Sequence, residues 1–322
     1  MLFILTMIAV VLGLVILVQW RASTREAAAD AASPPTGELI DIDGVTVHTK
    51  VQGSGPDLVL IHGASGNMRD FTFDMVDRLA DRYRVILFDR PGLGWTGNLP
   101  QHAGAWNATA ATPAEQAALL QKAADRIGVT SPIVLGHSYG GAVALAWGLS
   151  RPDETAALVL VSGVSEPWEG DLGWQYKVTG SAFGSGVVIP LVTAFLPQGF
   201  IRASVNAIFA PQDTPDGYNN HIGTGLALRR TSMRANAQQV NTLLPEIKKM
   251  VSQYATLTMP IELIHGNADT IVPLEVHAAI ATPQLPDARL TTLPGIGHMP
   301  QHVSQPEVLA AIDRAAARAG LR

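Results

Sequence analysis

The sequence predicts an α/β protein, a doubly wound and mostly parallel sheet with one helical insertion, preceded by a membrane-spanning helix. Three observations predict it. From Glu38 onward, short β-branched apolar runs alternate with Ala-rich stretches of helical length, the pattern of strands covered on both faces by helices. The alternation stops between Val164 and Thr256 and then resumes. The opening stretch of the chain is almost wholly apolar.

Leu2–Trp20 carries no charge, and only Thr6 and Gln19 are polar. At ~1.5 Å per residue a helix of that length spans about 28 Å, close to the ~30 Å hydrocarbon core of a bilayer. Trp20 and Arg21 then supply an interfacial aromatic and a charged stop. A cleaved signal peptide would need a basic leading region and an apolar run of about 7–15 residues. Here the amino terminus is the only positive group ahead of the run, and the small residues Ala27–Ala32 lie well beyond its end. The expectation is a single-pass anchor in the cell membrane, residues 1–20. Arg21 and Arg25 flank its C-terminal end and lean the rest of the chain toward the cytoplasm. Residues 21–37 end in Ser33-Pro34-Pro35-Thr36-Gly37 and read as a tether.

The sheet is expected in two parts, residues 38–163 and 257–322. Leu39–Ile42 and Val45–Val51 form an opening hairpin. Asp57–Ile61, Val85–Phe88, Pro132–Leu135, Ala157–Val161 and Ile261–Ile264 follow as buried strands, with Arg289–Leu293 a weaker last one. Met68–Arg82, Pro113–Ile127, Gly140–Leu149, Leu274–Ala281 and Pro306–Ala319 read as the helices between them. Residues 164–256 are expected as a helical cap whose aromatics, among them Trp168, Trp174, Phe183, Phe195 and Phe200, line an apolar pocket.

Composition removes several classes of function. The 322 residues carry a net charge of −5 with no run of Lys or Arg, which offers nothing to nucleic acid. No cysteine is present, so disulfides, thiolate metal sites and a Cys nucleophile are excluded. His102, His221, His277 and His302 lack the mutual spacing of a metal site, and Gly136–Gly141 lacks the Gly-Lys-Ser/Thr of a phosphate loop. Neither metal nor cofactor is expected.

The chemistry concentrates at strand ends. Strand Pro132–Leu135 runs into Gly136-His137-Ser138-Tyr139-Gly140-Gly141 and then an Ala-rich helix, which is G-x-S-x-G in a strand–turn–helix setting. Such a turn holds the serine in a strained backbone conformation at a helix N-terminus, whose dipole favours developing negative charge. Ser138 is the candidate nucleophile. A serine hydroxyl needs an imidazole to take its proton, and the imidazole needs a carboxylate to orient it. His265-Gly266-Asn267-Ala268-Asp269 follows one later strand, and Pro294-Gly295-Ile296-Gly297-His298 follows the next. His298 is therefore the candidate base and Asp269 its partner, in the chain order this elbow requires. His62-Gly63-Ala64-Ser65-Gly66 follows strand Asp57–Ile61, so the N–H groups of Ala64 and Tyr139 are the candidate oxyanion hole. His62 is read as a brace for its own loop, and Arg229, Arg230 and Arg234 as a solvated helix face.

His62-Gly63, Asp89-Arg90-Pro91-Gly92-Leu93-Gly94-Trp95, Gly136–Gly141, His265–Asp269 and Gly297-His298 together resemble the α/β-hydrolase superfamily. They are most similar to its capped serine-hydrolase branch of esterases, carbon–carbon bond hydrolases and cofactor-free haloperoxidases. The resemblance runs from about Val45 to the C-terminus, and residues 164–256 stand where that branch carries its cap. It implies the α/β-hydrolase fold and a small-molecule substrate. Serine at position 138, where epoxide hydrolases and haloalkane dehalogenases use aspartate, argues against those two activities. Asp89–Gly92 reads as structural turn chemistry. The leading expectation is an esterase that cleaves a small apolar ester through an acyl-enzyme. The alternatives are cleavage of a carbon–carbon bond in a vinylogous diketone on the same triad, or a ligand-sensing member of the fold with slow turnover.

Overall fold

The computed structural model describes residues 1–321. Eight strands form one sheet: β1 (Glu38–Ile42), β2 (Val45–Gln52), β3 (Asp57–Ile61), β4 (Arg84–Phe88), β5 (Ile133–His137), β6 (Ala157–Val161), β7 (Ile261–Gly266) and β8 (Ala288–Leu293). Their order is β1-β2-β4-β3-β5-β6-β7-β8, antiparallel at β1–β2 and β2–β4 and parallel from β4 to β8. Asp43 and Gly44 close the β1–β2 hairpin with φ of 53° and 84°, the left-handed pair a two-residue turn needs.

Alternation along the central strands divides the core into two layers. Val59, Ile61, Ile86 and Val134 face the helices Pro113–Arg126 and Tyr139–Ser150. Leu58, Leu60, Leu87 and Leu135 face the other side, where Met75–Ala80 and Gln305–Arg318 pack. Thr112 starts the first of these helices with a capping box, its hydroxyl accepting from Glu115 N–H while the Glu115 carboxylate accepts from Thr112 N–H. β5 extends to His137, two residues past the expected strand, because Gly136 and His137 still pair with Leu160 and Val161 of β6.

The expected helix Met68–Arg82 is two short helices, Arg69–Thr72 and Met75–Ala80. Tertiary contacts decide the break. Phe73 packs against Tyr218, His221 and His302, and the Asp74 carboxylate lies 3.4 Å from His302 Nδ1. At the same junction the buried Asp70 carboxylate accepts from Tyr218 Oη at 2.6 Å and meets His302 Nε2 at 2.9 Å. Three remote stretches of chain are pinned there: the one after β3, the one between β6 and β7, and the one after β8. Burial alone would lower the His302 pKa, but Asp70 and then Asp74 outweigh it and raise it to about 9.

Residues 21–37 are not the free tether expected from their composition. The N-terminal helix runs without interruption over Leu2–Ala32, and its second half is docked. Glu26 receives three hydrogen bonds from Arg230, Asp30 pairs with Arg229 at 3.1 Å, and Arg21 and Arg25 donate to the carbonyls of Ala194 and Leu196 at 2.9 Å each. Trp95 and Arg69 then hold the carbonyls of Ser33 and Pro34. Ala-rich composition hid this because the contacts use small side chains and a few charges. Gly225, for instance, lies against Ala29, where a Cβ would come within 2.7 Å of the Ala29 methyl. The expected solvated face of Arg229, Arg230 and Arg234 is corrected by the same finding. The first two clamp the N-terminal helix, and the third is buried on the hydroxyl and carbonyl of Ser185.

Between β6 and β7 the described chain has helices and no strand, chief among them Trp174–Gly180, Ile189–Phe195, Gln198–Phe209 and Arg230–Val251. The last lies over the carboxyl ends of the strands, with Ala235 against Gly92 and Gln239 donating to the Pro91 carbonyl.

Two stability measurements follow. A double-mutant cycle on Glu26→Ala and Arg230→Ala, read by chemical unfolding in detergent micelles, is expected to give a coupling of about 1–2 kcal/mol. A value near zero would mean that the N-terminal arm is not docked. The second concerns His302. Its folded pKa of about 9 lies above the unfolded 6.5, so its contribution is complete below pH 6.5 and is lost as pH rises through 9. It amounts to about 3 kcal/mol, and His62, His137 and His277, lowered to about 4, are neutral in the folded state throughout that window and lose their unfolded-state protons near its lower edge. Asp70→Asn should flatten the decline in unfolding free energy between pH 6.5 and 9. An unchanged slope would contradict the assignment.

Candidate active site

β5 delivers the chain into a turn that only this pattern of glycines permits. Ser138 has φ 54° and ψ −120°, a left-handed conformation costly for a residue with a Cβ. A Cβ at Gly140 would sit 2.2 Å from the Ile61 carbonyl oxygen, and one at Gly136 would sit 2.1 Å from that of Gly140. With hydrogen in both places, helix Tyr139–Ser150 starts hard against β3 and Ser138 stands at its N-terminus. Ser138 N–H donates to Val161, and its carbonyl accepts from Gly141 and Val164, so the turn is fixed on all sides.

The loops after β7 and β8 bring the other two expected residues to the serine. His298 Nε2 is 3.0 Å from Ser138 Oγ, and His298 Nδ1 is 2.7 Å from Asp269 Oδ2. All three are at least nine-tenths buried. Asp269 Oδ1 accepts from the N–H groups of Ile271 and Val272, which orients the carboxylate. Burial would raise the Asp269 pKa, but hydrogen bonds from His265 and His298 win and hold it well below the usual carboxylate range. An ionised Asp269 accepts a hydrogen bond from His298 Nδ1–H, which fixes the proton on that nitrogen and leaves the Nε2 lone pair to accept from the Ser138 hydroxyl.

Against the serine lies Gly63 of the β3 loop, where a Cβ would come within 3.0 Å of the Ser138 Cβ, and Ala64 follows it. The N–H groups of Ala64 and Tyr139 donate to no protein acceptor among the described residues, whereas the next one along, Ser65 N–H, is held by Asn236 Oδ1 at 2.6 Å. His62 braces this loop from below: Nδ1 donates to the Gly63 carbonyl and Nε2 accepts from Arg90 N–H. Burial lowers its pKa to about 4, so it stays neutral and keeps both bonds. Asp89 supports the neighbouring turn, taking His48 Nδ1 at 2.6 Å and the N–H groups of Met68 and Trp95 at 2.7 Å.

Four supporting residues were not assigned their roles from the sequence. Arg90 is fully buried and donates to Gly63, Gln116 and Gln239, with its guanidinium 4.2 Å from the Tyr139 ring centre. His137 donates from Nε2 to the His298 carbonyl and lies 3.9 Å from Asp70, tying the His298 loop to the buried pin. Asn236 comes from the insertion. His302 was visible as one helical turn beyond His298, yet only its distance from Asp70 reveals what it does.

The insertion reaches the loop that carries His298, with Ala210 against Gly297 and Gln212 accepting from Gly297 N–H. Three of its expected pocket aromatics do not face inward. Trp174, Phe183 and Phe200 point outward, 75 %, 67 % and 62 % exposed. A cavity of about 370 Å³ lies elsewhere, between the N-terminal helix and the insertion, lined by Arg25, Glu26, Ala29, Asn220 and Thr224 among others.

Known proteins place this architecture. Residues 58–312 match the model of the alpha/beta hydrolase family. The magnesium-chelatase 30 kDa subunit of Rhodobacter capsulatus is 30 % identical over 264 residues, covering 78 % of this chain and 83 % of that protein. An acetyltransferase component of the acetoin cleaving system of Cupriavidus necator is 34 % identical over 128 residues, but the match spans only 39 % of this chain and 32 % of that one. Among solved structures, an alpha/beta hydrolase fold protein from Burkholderia ambifaria superposes with a TM-score of 0.69 at 22 % identity, over 86 % of this chain and all of that one. A bacterial membrane phospholipase A superposes with a TM-score of 0.66 at 19 % identity, over 98 % of this chain and 97 % of that one. The chain belongs to the alpha/beta hydrolase family and is a hydrolase built on that family's mostly parallel sheet.

Proposed function

We propose that this hydrolase is an esterase that works through an acyl-enzyme, with Ser138 as nucleophile, His298 as general base and Asp269 as the group that orients and charges against the histidine. The continuous chain Asp269–His298–Ser138, at 2.7 and 3.0 Å, carries the reading. Ser138 Oγ passes its proton to His298 Nε2 as it attacks the ester carbonyl, and Asp269 stabilises the imidazolium that forms. The N–H groups of Ala64 and Tyr139 receive the oxyanion. When the tetrahedral species collapses, His298 returns the proton to the departing alcohol. Water, activated by the same histidine, then releases the acid.

The insertion acts as the cap of this site, and the apolar N-terminal helix acts as a single-pass membrane anchor. Leu2–Ala32 is long and apolar enough to cross a bilayer, and the window that qualifies has nothing buried against the protein. The substrate is a small acyl ester with apolar groups, held under the helix Arg230–Val251.

Fluorophosphonate labelling of the full-length protein, read by intact mass, tests the nucleophile. Ser138→Ala should abolish labelling, and a label persisting on another serine would refute the assignment. Turnover of p-nitrophenyl butyrate should fall by about 10⁴-fold or more in Ser138→Ala and His298→Ala. Asp269→Asn should cost about 10³–10⁴-fold by favouring the wrong histidine tautomer. If Asp269→Asn is nearly silent, another carboxylate holds His298.

A further inference from the structure

The outward aromatics of the insertion stand well exposed, and their location is not random. Outside the N-terminal helix, most of the large apolar side chains left exposed lie between Leu172 and Phe200. Trp106, 64 % exposed, joins them, since its ring packs where a Cβ on Gly186 would have to go. The segments Trp174–Gly180 and Gly184–Phe195 are together as apolar as a membrane span, but an 87° bend between them prevents their crossing as one helix. With several of their large apolar side chains exposed, two segments bent in this way can bury that side at the headgroup–acyl boundary without crossing.

The same segment is fixed to the N-terminal helix at one height. Arg21 follows Trp20 directly, donates to the Ala194 carbonyl and stacks 5.1 Å from the centre of the Phe195 ring. One turn further along, Arg25 holds Leu196. Trp20 marks the end of the apolar run, so Phe195 is held where the chain leaves the hydrocarbon. Amphipathic aromatic rings are most stable in that headgroup region, and Arg21 has its charge at the same level. With Arg229 and Arg230 fastening the rest of the arm, the domain has little freedom to swing the face away.

We infer that the exposed aromatic face of the insertion, built around Trp174, Phe183, Phe195 and Phe200, is a lipid-contact surface that seats the hydrolase domain on the bilayer its anchor enters. This rests on the anchor reading of the N-terminal helix. It goes beyond that reading by giving the domain a second membrane contact and a fixed orientation. In water the face would expose several large aromatics side by side, an arrangement soluble monomers rarely keep without an occupant.

The absence of cysteine makes the test direct. Single variants Phe183→Cys, Phe200→Cys, Leu12→Cys and Asp153→Cys of the full-length chain are labelled with a polarity-sensitive fluorophore. They are then reconstituted in phosphatidylcholine–phosphatidylglycerol vesicles containing lipid with a nitroxide near the headgroup end of its acyl chain. Labels at 183 and 200 should lose about half of their fluorescence or more, and the label at Asp153, just before β6 at the amino end of the parallel strands while the insertion leaves from their carboxyl end, almost none. Quenching at 12 without quenching at 183 and 200 would overturn the lipid-contact surface and leave the anchor standing. No quenching at 12 would overturn the anchor reading and this proposal with it. Labels at 183 and 200 shielded from both the lipid nitroxide and aqueous iodide would put a second copy of the chain on the face, which also overturns the proposal.

Discussion

The contact between the Ile61 carbonyl and the α-carbon of Gly140 is the constraint on which the rest of the site depends. Without a Cβ there, the helix after β5 begins against the end of β3. That closeness brings the start of the helix and the β3 loop together at Ser138, which sits in its left-handed conformation, with Gly63 close enough that a Cβ there would come within 3.0 Å of the serine's own. The strain is held by ordinary backbone bonds: Ser138 N–H to Val161, and its carbonyl to Gly141 and Val164. A site made this way needs few specific side chains, because the strand ends and helix start do the positioning.

Two buried carboxylates flank the histidine loop, and their neighbours assign them different work. Asp269 is oriented by two backbone N–H groups and faces His298, whose other nitrogen points at Ser138. Asp70 faces His302, which burial fails to discharge, and Tyr218, whose hydroxyl it holds at 2.6 Å. The first pair is open to the serine, and the second is closed among aromatic rings of Phe73, Phe209 and Tyr218. His137 connects them, reaching the His298 carbonyl from one nitrogen with Asp70 beyond the other. Burial and the nearby His298 lower its pKa to about 4, so it acts as a neutral spacer, not as another charge beneath the proposed base.

The sheet was legible because buried parallel strands are continuous apolar runs, and Asp57–Ile61 and Ala157–Val161 have the same bounds in the structure as in the sequence reading. The residues at strand ends were legible for a related reason. Glycine beside serine or histidine after such a run has few structural uses. What stayed hidden depends on long-range partners. Nothing local in Arg69–Ala80 marks a broken helix, since the break is made by His302 and Tyr218 from elsewhere in the chain. Nothing in Arg21–Ala32 marks a docked helix, because the Pro-Pro that follows makes the whole stretch look like linker and the arginines that grip it lie about 200 positions away. The aromatics of the insertion were seen, but aromatic content does not say which way a ring points.

The clamped arm also gives the N-terminal helix a mechanical route to the serine. Helix Arg230–Val251 begins at the residue that grips Glu26, and its N-cap Arg229 grips Asp30. Two turns further on, the same helix supplies Asn236, which fixes Ser65 N–H beside Ala64, and then Gln239, which shares Arg90 with Gly63. At ~1.5 Å rise per residue, that is about 10–14 Å from the clamp to the two side chains. A helix of this length behaves as a rod over such a span, so the N-terminal arm proposed as the anchor and the loop proposed to carry an oxyanion donor are attached to one rigid body. Shifting the arm relative to the sheet would pull Asn236 from Ser65 before it disturbed the β5 turn. Ser138 is held by backbone bonds to Val161, Gly141 and Val164, and the Ala64 loop is held in addition by Asn236 of the long insertion helix.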